Sequence, residues 1–465
     1  MTARSMIPTR SFGLKLILVG ALAFLLWIPA MLVKGMVFER STRAEDVRQE
    51  IFAVTGGRQT IAGPVIIAPA NVETRRRKDN GEPITETVFF AFTPKTLETD
   101  ASVRATQRRR SLYKATIYDS DIVLTGAFDA LTPPAWPHRI QAIHWDRAII
   151  AVKFSSDSAL KGIRDTPQLE INGQPADIGF EPGVKLSANR REMNDTSFSI
   201  PGISAALPSG IAPEGFTFRL SLSLSGGGGL HFAPVGEETR VAMRADWADP
   251  SFTGAYLPDE REITDAGFTA VWRVPYLARN LPGGFAVENG LSMLDGGKSF
   301  GVDFIDAASL YQSVNRALKY ALMFLGVVFL TFFIFEVMTG ARAHAAQYLL
   351  LGLAQVIFYL LALSMSEHFG FDAAFFLSGA ATILLSSAYA ATVFHSKIQG
   401  LIALAAFSGA YGLIYLLMKS EDYALLIGSV TAFGAVALTM YATRHLNWYG
   451  ASQEPQDTTL RRGEN

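Results

Sequence analysis

Six apolar runs stand out along the chain, one near its start and five within its last third. They cover residues 12–33, 317–338, 346–365, 373–394, 398–418 and 423–443. Each is about 20 residues long, which at a rise of about 1.5 Å per residue crosses the roughly 30 Å hydrocarbon layer of a bilayer. The pattern predicts a membrane protein with six transmembrane α-helices, one N-terminal anchor and a C-terminal five-helix bundle over residues 317–443.

The first apolar run could belong to a cleaved signal peptide, but its features favour an uncleaved anchor. It is longer than the usual hydrophobic region of a signal peptide, and no A-x-A-type cleavage site follows it. Arg4 and Arg10 precede the run, and Lys15 can extend its amine toward the same side. We therefore expect residues 1–11 to lie in the cytoplasm and residues 12–33 to form the anchor.

Between the first two runs, residues 34–316 are polar and mostly follow the pattern of β-strands. Residues 216–224 alternate strictly between apolar and polar side chains, as half-buried strands do. Asn80-Gly81 and Asn172-Gly173 are hairpin signals. Residues 41–52 predict one short amphipathic helix. The region as a whole predicts a large, mainly-β domain of one or two sub-domains, inserted between helices 1 and 2.

The charges of the short loops predict how the helices cross the membrane. Positive charge marks the cytoplasmic side, so the loops that hold Arg342 and Lys397 are expected inside. The loops that hold Glu367 and Glu421 are then outside, and the basic tail 444–465 is inside. Both termini are predicted to be cytoplasmic, with the mainly-β domain on the other side of the membrane.

Composition narrows the function mainly by exclusion. A chain of 465 residues with 49% hydrophobic residues is typical of a membrane protein. Its formal net charge of −1 gives no indication of nucleic acid as a partner. The absence of cysteine excludes disulfides, thiolate metal sites and cysteine nucleophiles together.

The helix that follows the outer domain carries the residues that we assign to a junction or interface. They are Tyr311, Arg316, Lys319, Glu336 and Arg342. Glu336 raises a functional question because a carboxylate at bilayer depth costs about 2.5 to 3.5 kcal/mol on insertion scales. It could take part in a proton or ion relay. The interpretation that we favour is an interfacial carboxylate that fixes the depth of the helix, within reach of Arg342 or Arg444.

No arrangement of residues predicts a catalytic, cofactor or metal site. Four histidines at helix ends lack the spacing and the clustered carboxylates of a metal site: His344, His368, His395 and His445. The glycine run 226–229 lacks the Lys-Ser/Thr pair and the helix of a phosphate-binding loop. Neither G-x-S-x-G nor H-E-x-x-H occurs in the sequence. We therefore expect no cofactor.

Two dense basic runs, residues 75–78 and 108–110, lie in the outer region. They fit either contact with anionic lipid headgroups or solvated loops. Because the first run adjoins the predicted turn at Asn80-Gly81, the solvated loop is the favoured interpretation.

Several stretches resemble the CreD family of bacterial inner-membrane proteins. They are IPAMLVKGMVFER, IAGPVIIAP, PVGEETRVAMRADWADPSFTGAYLPDEREITDAGFTAVW, YQSVNRALKYALMFLGVVFLTFFIFE and QYLLLGLAQVIFYLLALSMSEHFGF, which together sample nearly the whole chain. The resemblance implies an inner-membrane protein of Gram-negative bacteria with a periplasmic domain. It also implies an association with cell-envelope integrity and, in some members, with a regulon run by a two-component system. It implies no catalytic residue, cofactor or substrate.

We therefore expect a non-enzymatic envelope-integrity and stress-response protein whose periplasmic domain engages an envelope partner or lipid. Its expected partners are the lipid bilayer and an envelope or membrane protein. The alternative is a membrane-bound enzyme acting on lipid or cell-wall precursors at the periplasmic face, for which the size of the outer domain and its abundant Asp, Arg and Trp are the support. Transport would need buried charge, of which the bundle has almost none. The sequence leaves the oligomeric state open.

Overall fold

The computed structural model describes residues 12–77, 83–132, 139–188, 196–208, 210–287, 291–295, 297–304, 310–339, 343–419 and 424–444. The chain divides into two compact units. The first, which we call the membrane unit, comprises Met1–Arg43 and Ala308–Asn465, and the second, which we call the β unit, is Ala44–Ala307.

The helices lie mostly at the two ends of the chain. They are α1 (Phe12–Thr55), α2 (Tyr276–Arg279), α3 (Ser292–Asp295), α4 (Leu310–Lys319), α5 (Ala321–Thr339), α6 (Ala345–Phe369), α7 (Phe371–Val393), α8 (Lys397–Lys419) and α9 (Ala424–Thr443).

The strands all lie in the β unit. They are β1 (Gln59–Arg77), β2 (Pro83–Phe92), β3 (Thr96–Arg110), β4 (Tyr113–Phe128), β5 (Ile140–Ile143), β6 (Ile149–Phe154), β7 (Gln168–Ile171), β8 (Gln174–Pro175), β9 (Glu181–Ala188), β10 (Thr196–Ala206), β11 (Phe216–Gly227), β12 (Gly229–Phe232), β13 (Glu238–Ala245), β14 (Pro250–Gly254), β15 (Glu260–Thr264), β16 (Gly267–Val274), β17 (Gly284–Ala286) and β18 (Phe300–Phe304).

Helix α1 is continuous over 44 residues, whereas the sequence pattern predicted an anchor at 12–33 and a separate helix at 41–52. The segment between the two predicted helices, residues 34–40, contains no proline, and its one glycine, Gly35, weakens a helix by only about 1 kcal/mol. Continuing the helix through it satisfies every backbone N–H and C=O of the segment, which an interruption would leave to find other partners.

Among the described residues, five helices are long and apolar enough to cross a membrane. They are Lys15–Thr55, Ala321–Thr339, Ala345–Phe369, Phe371–Val393 and Lys397–Met418. The sixth predicted span corresponds to α9, whose described apolar segment, Leu426–Ala437, is shorter than a full span. The predicted architecture of an N-terminal anchor, C-terminal helices and a large, mainly-β region between them is confirmed.

The prediction of one unbroken helix over residues 317–338 is wrong at its start. The chain forms two helices, α4 and α5, which are interrupted at Tyr320. Helix α4 has a polar face and an apolar face, whereas α5 is apolar on every side except at Glu336 in its last turn. A helix with a strongly polar face is better suited to the membrane interface than to the hydrocarbon layer. Helix α4 packs against α6 and α8.

A glycine of α6 allows close packing between three helices of the membrane unit. A Cβ atom at Gly352 of α6 would collide with Leu26 of α1 and would lie 2.7 Å from Cζ of Phe329 in α5. Gly409 and Gly412 of α8 are exposed and have open space beside them, so they do not pack inside the bundle.

The β unit contains two mainly antiparallel sheets. The first has the order β14-β18-β12-β1-β6-β10-β9, with β2 and β5 also paired to β1 and with β17 paired to β2. The second has the order β15-β16-β13-β3-β4-β11-β7-β8. Two pairs are parallel, β1 with β12 and β3 with β13.

The two sheets pack face to face around one hydrophobic core. Aromatic rings from opposite sheets meet there: Tyr118 and Phe304 at 5.3 Å, and Trp272 with Phe252 at 5.9 Å and with Phe300 at 5.7 Å between ring centroids. Interdigitation of this kind is typical of a β-sandwich. The core supplies the packing that a domain without disulfides requires.

Strand β11 confirms the half-buried strand predicted at residues 216–224, because its apolar side chains are buried and the alternate ones are exposed or half-buried. Immediately after it, the glycine run carries the chain from the second sheet to the first. Gly228 has a positive φ of 80° at the crossing. Cβ atoms at Gly227 and Gly228 would collide with or crowd the ring of Phe52, so the glycines let the end of α1 lie against the strands.

The predicted turn at Asn172-Gly173 is confirmed. Both residues have positive φ, 51° and 76°, and they join the antiparallel strands β7 and β8. The turn predicted at Asn80-Gly81 lies outside the described residues, but the strands on either side of it, β1 and β2, pair antiparallel.

Candidate functional site

The main buried charge of the membrane unit lies where three helices meet. Glu336 of α5 is 4% exposed and accepts an ion-pair hydrogen bond from Nζ of Lys15 in α1. Its other carboxylate oxygen accepts a hydrogen bond of 3.0 Å from the Tyr348 hydroxyl of α6. The Lys15 ammonium also donates to the backbone oxygen of Ala343 at 2.8 Å. We call Lys15, Glu336 and Tyr348 the inner cluster.

The inner cluster gives each of its polar groups a partner. An unpaired carboxylate or ammonium is costly in a low-dielectric environment, and an ion pair with further hydrogen bonds offsets much of that cost. Here the carboxylate receives two donors and the ammonium two acceptors. The arrangement joins α1, α5 and α6 at one level.

A second cluster lies at the opposite end of α6. Glu367 is 3.7 Å from Nη1 of Arg40 in α1, and its Oε1 accepts a hydrogen bond of 3.2 Å from the Tyr311 hydroxyl of α4. Nearby in the sequence of α4, Arg316 donates to the backbone oxygen of Met418 at the end of α8. We call Arg40, Glu367 and Tyr311 the outer cluster.

The two clusters are separated by about the thickness of a bilayer's hydrocarbon layer. At about 1.5 Å per residue, Tyr348 and Glu367 lie roughly 28 Å apart along α6. The hydrocarbon layer is about 30 Å thick. Helix α1 reaches both clusters, through Lys15 and Arg40, so charged contacts fix it at two depths.

Between the clusters, a small polar network lies inside the helices. The Tyr411 hydroxyl donates to Oε1 of Gln355 at 2.8 Å, and Nε2 of Gln355 donates to Oγ of Ser386 at 3.2 Å. Thr382 and Ser386 also line an apolar groove of about 400 Å³ between α6 and α7. Because its members are neutral and partnered, the network links α6, α7 and α8 without a charge at mid-depth.

The structure separates the residues assigned to the junction. Tyr311 and Arg316 hold α4 against α6 and α8. Lys319 is exposed at the end of α4. Glu336 pairs with Lys15, whereas the sequence suggested Arg342 or Arg444 as its partner. Arg342 itself lies outside the described residues.

Lys15, Arg40 and Tyr348 were missed as partners. A usable signal was present for Lys15, because the predicted topology put Lys15 and Glu336 on the same side of the membrane with opposite charges. A tyrosine near the start of an apolar helix gives no comparable signal, since its partner depends on how the helices pack.

The β unit buries a histidine next to a carboxylate. His231 and Asp303 are each 7% exposed. Nε2 of His231 lies 3.0 Å from the Thr253 hydroxyl and 3.5 Å from Asp303, whose other partner is Arg58 at 2.8 Å. Burial lowers the pKa of His231; Asp303 opposes this shift and Arg58 adds to it.

The geometry of this group differs from that of a catalytic relay. A relay uses one ring nitrogen for the hydroxyl and the other for the carboxylate. In the β unit the same nitrogen, Nε2 of His231, faces both Thr253 and Asp303. The group links β12, β14 and β18 and has the character of a structural polar contact.

Arg279 is a second buried charge of the β unit, at 2% exposed. Its Nη1 donates to the Thr93 hydroxyl at 3.2 Å and to the backbone oxygen of Val235. Desolvation lowers the pKa of Arg279, and nearby Glu237 opposes the shift. The side chain ties α2 to the end of β2.

Within the part of the chain that the structure describes, no three histidine or carboxylate groups come together as a metal site would require. One of the helix-end histidines has a local role. Nδ1 of His344 accepts a hydrogen bond from the backbone N–H of Ala346, and the Gln347 side chain completes a capping box. His344 therefore caps the start of α6.

Comparison with known proteins gives one clear relationship. The family model described as Inner membrane protein CreD matches residues 11–449. The Inner membrane protein CreD of Escherichia coli (strain K12) is 30% identical over 439 residues, which cover 94% of this chain and 93% of that protein. A solved M1 zinc metallopeptidase mutant from Deinococcus radiodurans, bound to a Tyr-Ser-Ala substrate, gives a TM-score of 0.17 at 10% identity, over 76% of this chain and 94% of that one.

Proposed function

Because the chain belongs to the CreD family of inner membrane proteins, we propose that it is a non-enzymatic envelope-integrity and stress-response protein. In this proposal the β unit is periplasmic and engages an envelope partner or lipid, and the membrane unit anchors it. One observation carries the proposal: the buried carboxylate of the membrane unit is held in an interhelical ion pair. Such a pair positions helices, and it gives Glu336 a fixed partner in place of the freedom that a relay group needs.

The orientation in this proposal follows from the loop charges. Arg342 and Lys397 belong to loops on the cytoplasmic side, which positive charge favours. Reporter fusions after His344 and after Phe369 test the threading. A cytoplasmic reading at His344 and a periplasmic reading at Phe369 are expected, and the reverse pair of readings would refute the threading.

The polar groups buried in the β unit support a binding role over a reaction. His231 offers a single nitrogen to both of its neighbours, and Arg279 is directed at a hydroxyl and a backbone carbonyl. Both residues connect elements of the sandwich. The exposed surface therefore remains as the part of the β unit that is available to act on the envelope.

In-cell photo-crosslinking tests whether that surface engages a partner. A photoreactive residue is introduced at exposed positions, such as Gln174, Leu257 and Leu277, and at the buried position Leu220 as a control. Each variant is first shown to restore envelope-stress resistance to a strain that lacks the protein. Specific adducts from at least one exposed position, and none from Leu220, are expected. Active variants without adducts at any exposed position would refute the proposal.

A further inference from the structure

The hairpin formed by β3 and β4 extends beyond the sheet to which it belongs. Strand β13 pairs with β3 only as far as Val103, and β11 pairs with β4 only as far as Ile117. The two strands continue to pair with each other up to Arg110 and Tyr113. Ile117 is opposite Thr106, so at about 3.3 Å per residue the hairpin projects roughly 23 Å past the last residue that β13 covers and roughly 13 Å past the last residue that β11 covers. We call residues 104–116 the basic finger.

The basic finger carries five basic residues and no acidic residue. Two of the five have acidic partners elsewhere in the β unit: Arg104 lies 3.2 Å from Asp121, and Arg110 lies 2.6 Å from Glu50. The other three, Arg108, Arg109 and Lys114, are exposed and make no ion pair with any residue that the structure describes.

Two of these three cations face each other directly. In the register of the hairpin, Arg109 is opposite Lys114. Like charges that are directly opposite in an antiparallel pair repel and destabilise the hairpin. An anion bound between the two side chains would replace this repulsion with attraction. An anionic ligand would therefore reduce the repulsion between Arg109 and Lys114.

The turn at the tip of the finger contains one apolar side chain. The two-residue turn consists of Ser111, with a positive φ of 57°, and Leu112, which is 40% exposed. Tyr113 follows and is half-buried. A partly exposed leucine in a turn with basic residues on both sides in the sequence matches the boundary of an anionic bilayer, where phosphates lie above the acyl chains.

We propose that the basic finger is a docking site for an anionic phospholipid surface. Arg108, Arg109 and Lys114 bind the lipid phosphates, and Leu112 enters the acyl boundary. This proposal rests on the proposed function, in which the β unit engages an envelope partner or lipid. Each basic residue near an anionic surface strengthens binding by about fivefold.

The absence of cysteine makes a direct test simple, because Leu112→Cys creates a single labelling site in the full chain. The labelled chain, carrying the environment-sensitive fluorophore NBD, is reconstituted in nanodiscs of phosphatidylcholine. In one arm phosphatidylglycerol is included in the disc, and in the other it is presented in added vesicles. These arms distinguish lipid of the same membrane from lipid of a facing membrane. A blue shift of NBD emission in either arm is expected, and no shift in both arms would overturn the proposal.

Two controls test for non-specific effects: a label at a different position and a variant that loses the same charge elsewhere. Gln174→Cys labels the exposed edge strand β8, which lies at the level of the opposite end of the hairpin, and its emission should not respond to anionic lipid. The Arg108→Gln/Arg109→Gln double variant should bind the phosphatidylglycerol vesicles about 25-fold more weakly than the unaltered finger does. The matched variant Lys185→Gln/Arg219→Gln loses the same charge elsewhere and should bind normally. Equal weakening by both variants would overturn the assignment to the finger.

The outcome separates this proposal from the wider one. If Leu112 shows no response to lipid while crosslinks form from Gln174, Leu257 or Leu277, the lipid-docking proposal is refuted and the envelope role stands. If crosslinks fail at every exposed position and the finger also gives no response, both are refuted.

Discussion

Lys15 and Glu336 lie 321 positions apart in the chain and form an ion pair between α1 and α5. The lysine side chain is 24% exposed and the glutamate side chain 5% exposed. The pair brings together the helix before the β unit and the second helix after it. With the outer cluster, it holds α1 against the other helices of the membrane unit at two depths.

Removing one partner of this pair should be more harmful than removing both. Lys15→Met or Glu336→Leu alone leaves an unpaired charge, which we expect to cost about 2 to 4 kcal/mol of stability. The double variant should recover most of that loss, because it removes both desolvation costs. Thermal denaturation of the solubilised chain, of each single variant and of the double variant measures how strongly the two substitutions are coupled. Losses that simply add in the double variant would contradict the assigned pairing.

The hydroxyl of Tyr348 should contribute to stability, whereas that of Tyr359 should not. Both side chains are buried, at 0% and 1% exposed, but only Tyr348 donates to a carboxylate. The Tyr359 hydroxyl has no hydrogen-bond partner in the described structure. We expect Tyr348→Phe to cost about 1.5 to 3 kcal/mol and Tyr359→Phe to be nearly neutral. Equal effects in thermal denaturation would show that Glu336 does not depend on this bond.

Much of this architecture could be predicted from the sequence because hydrophobic length and alternation are local properties. The apolar runs predicted α6, α7 and α8 to within a few residues, and alternation predicted β11. The break at Tyr320 was not predicted. Ala317 and Leu318 are apolar, so the apolar run that predicted the membrane span includes them. In the structure they belong to the buried face of the amphipathic helix α4.

The partner of Glu336 illustrates what local pattern cannot supply. Charge and depth indicated that Glu336 needed a cation, and Arg342 and Arg444 were the nearest choices along the predicted loops. The structure selects Lys15, which is remote in sequence and reaches Glu336 through helix packing. Contacts of this kind depend on which helices are neighbours and on their rotation, and neither is encoded in hydropathy.

A methyl group at Gly352 should disturb the contact of α1 with α5 and α6. A Cβ there would collide with Leu26, so we expect Gly352→Ala to destabilise the membrane unit by about 1 to 3 kcal/mol. Gly326 of α5 is the matched control, because a Cβ at that position would meet nothing within 4 Å. Gly326→Ala should be neutral or stabilising by up to about 1 kcal/mol through helix propensity. A lower melting temperature for Gly326→Ala than for Gly352→Ala would contradict the packing.

The β unit should lose local stability on acidification through His231. Burial lowers the pKa of His231, so the unfolded state takes up a proton at a higher pH than the folded state does. The stability that His231 contributes is fully present above about pH 6.5, the ordinary pKa of histidine. It is lost as the pH falls through the lowered pKa of His231 in the folded state. Hydrogen exchange over Gly229–Phe232, corrected for intrinsic rate, should show protection falling with pH. The His231→Gln variant should show a flatter profile, and an unchanged profile would exclude His231 as the cause.

The central claim is that the β unit acts on the envelope by binding and not by catalysing a reaction. Replacement of its described aspartates and glutamates by alanine, one at a time, tests this claim most directly. Envelope-stress resistance is measured for each variant and normalised to the amount of protein in the membrane. The account predicts small losses at most positions and partial losses at a few, because a few contact residues carry most of the energy of a binding surface and the loss of one of them leaves the other contacts in place. One or two positions that abolish resistance at normal abundance would contradict it and indicate an enzyme.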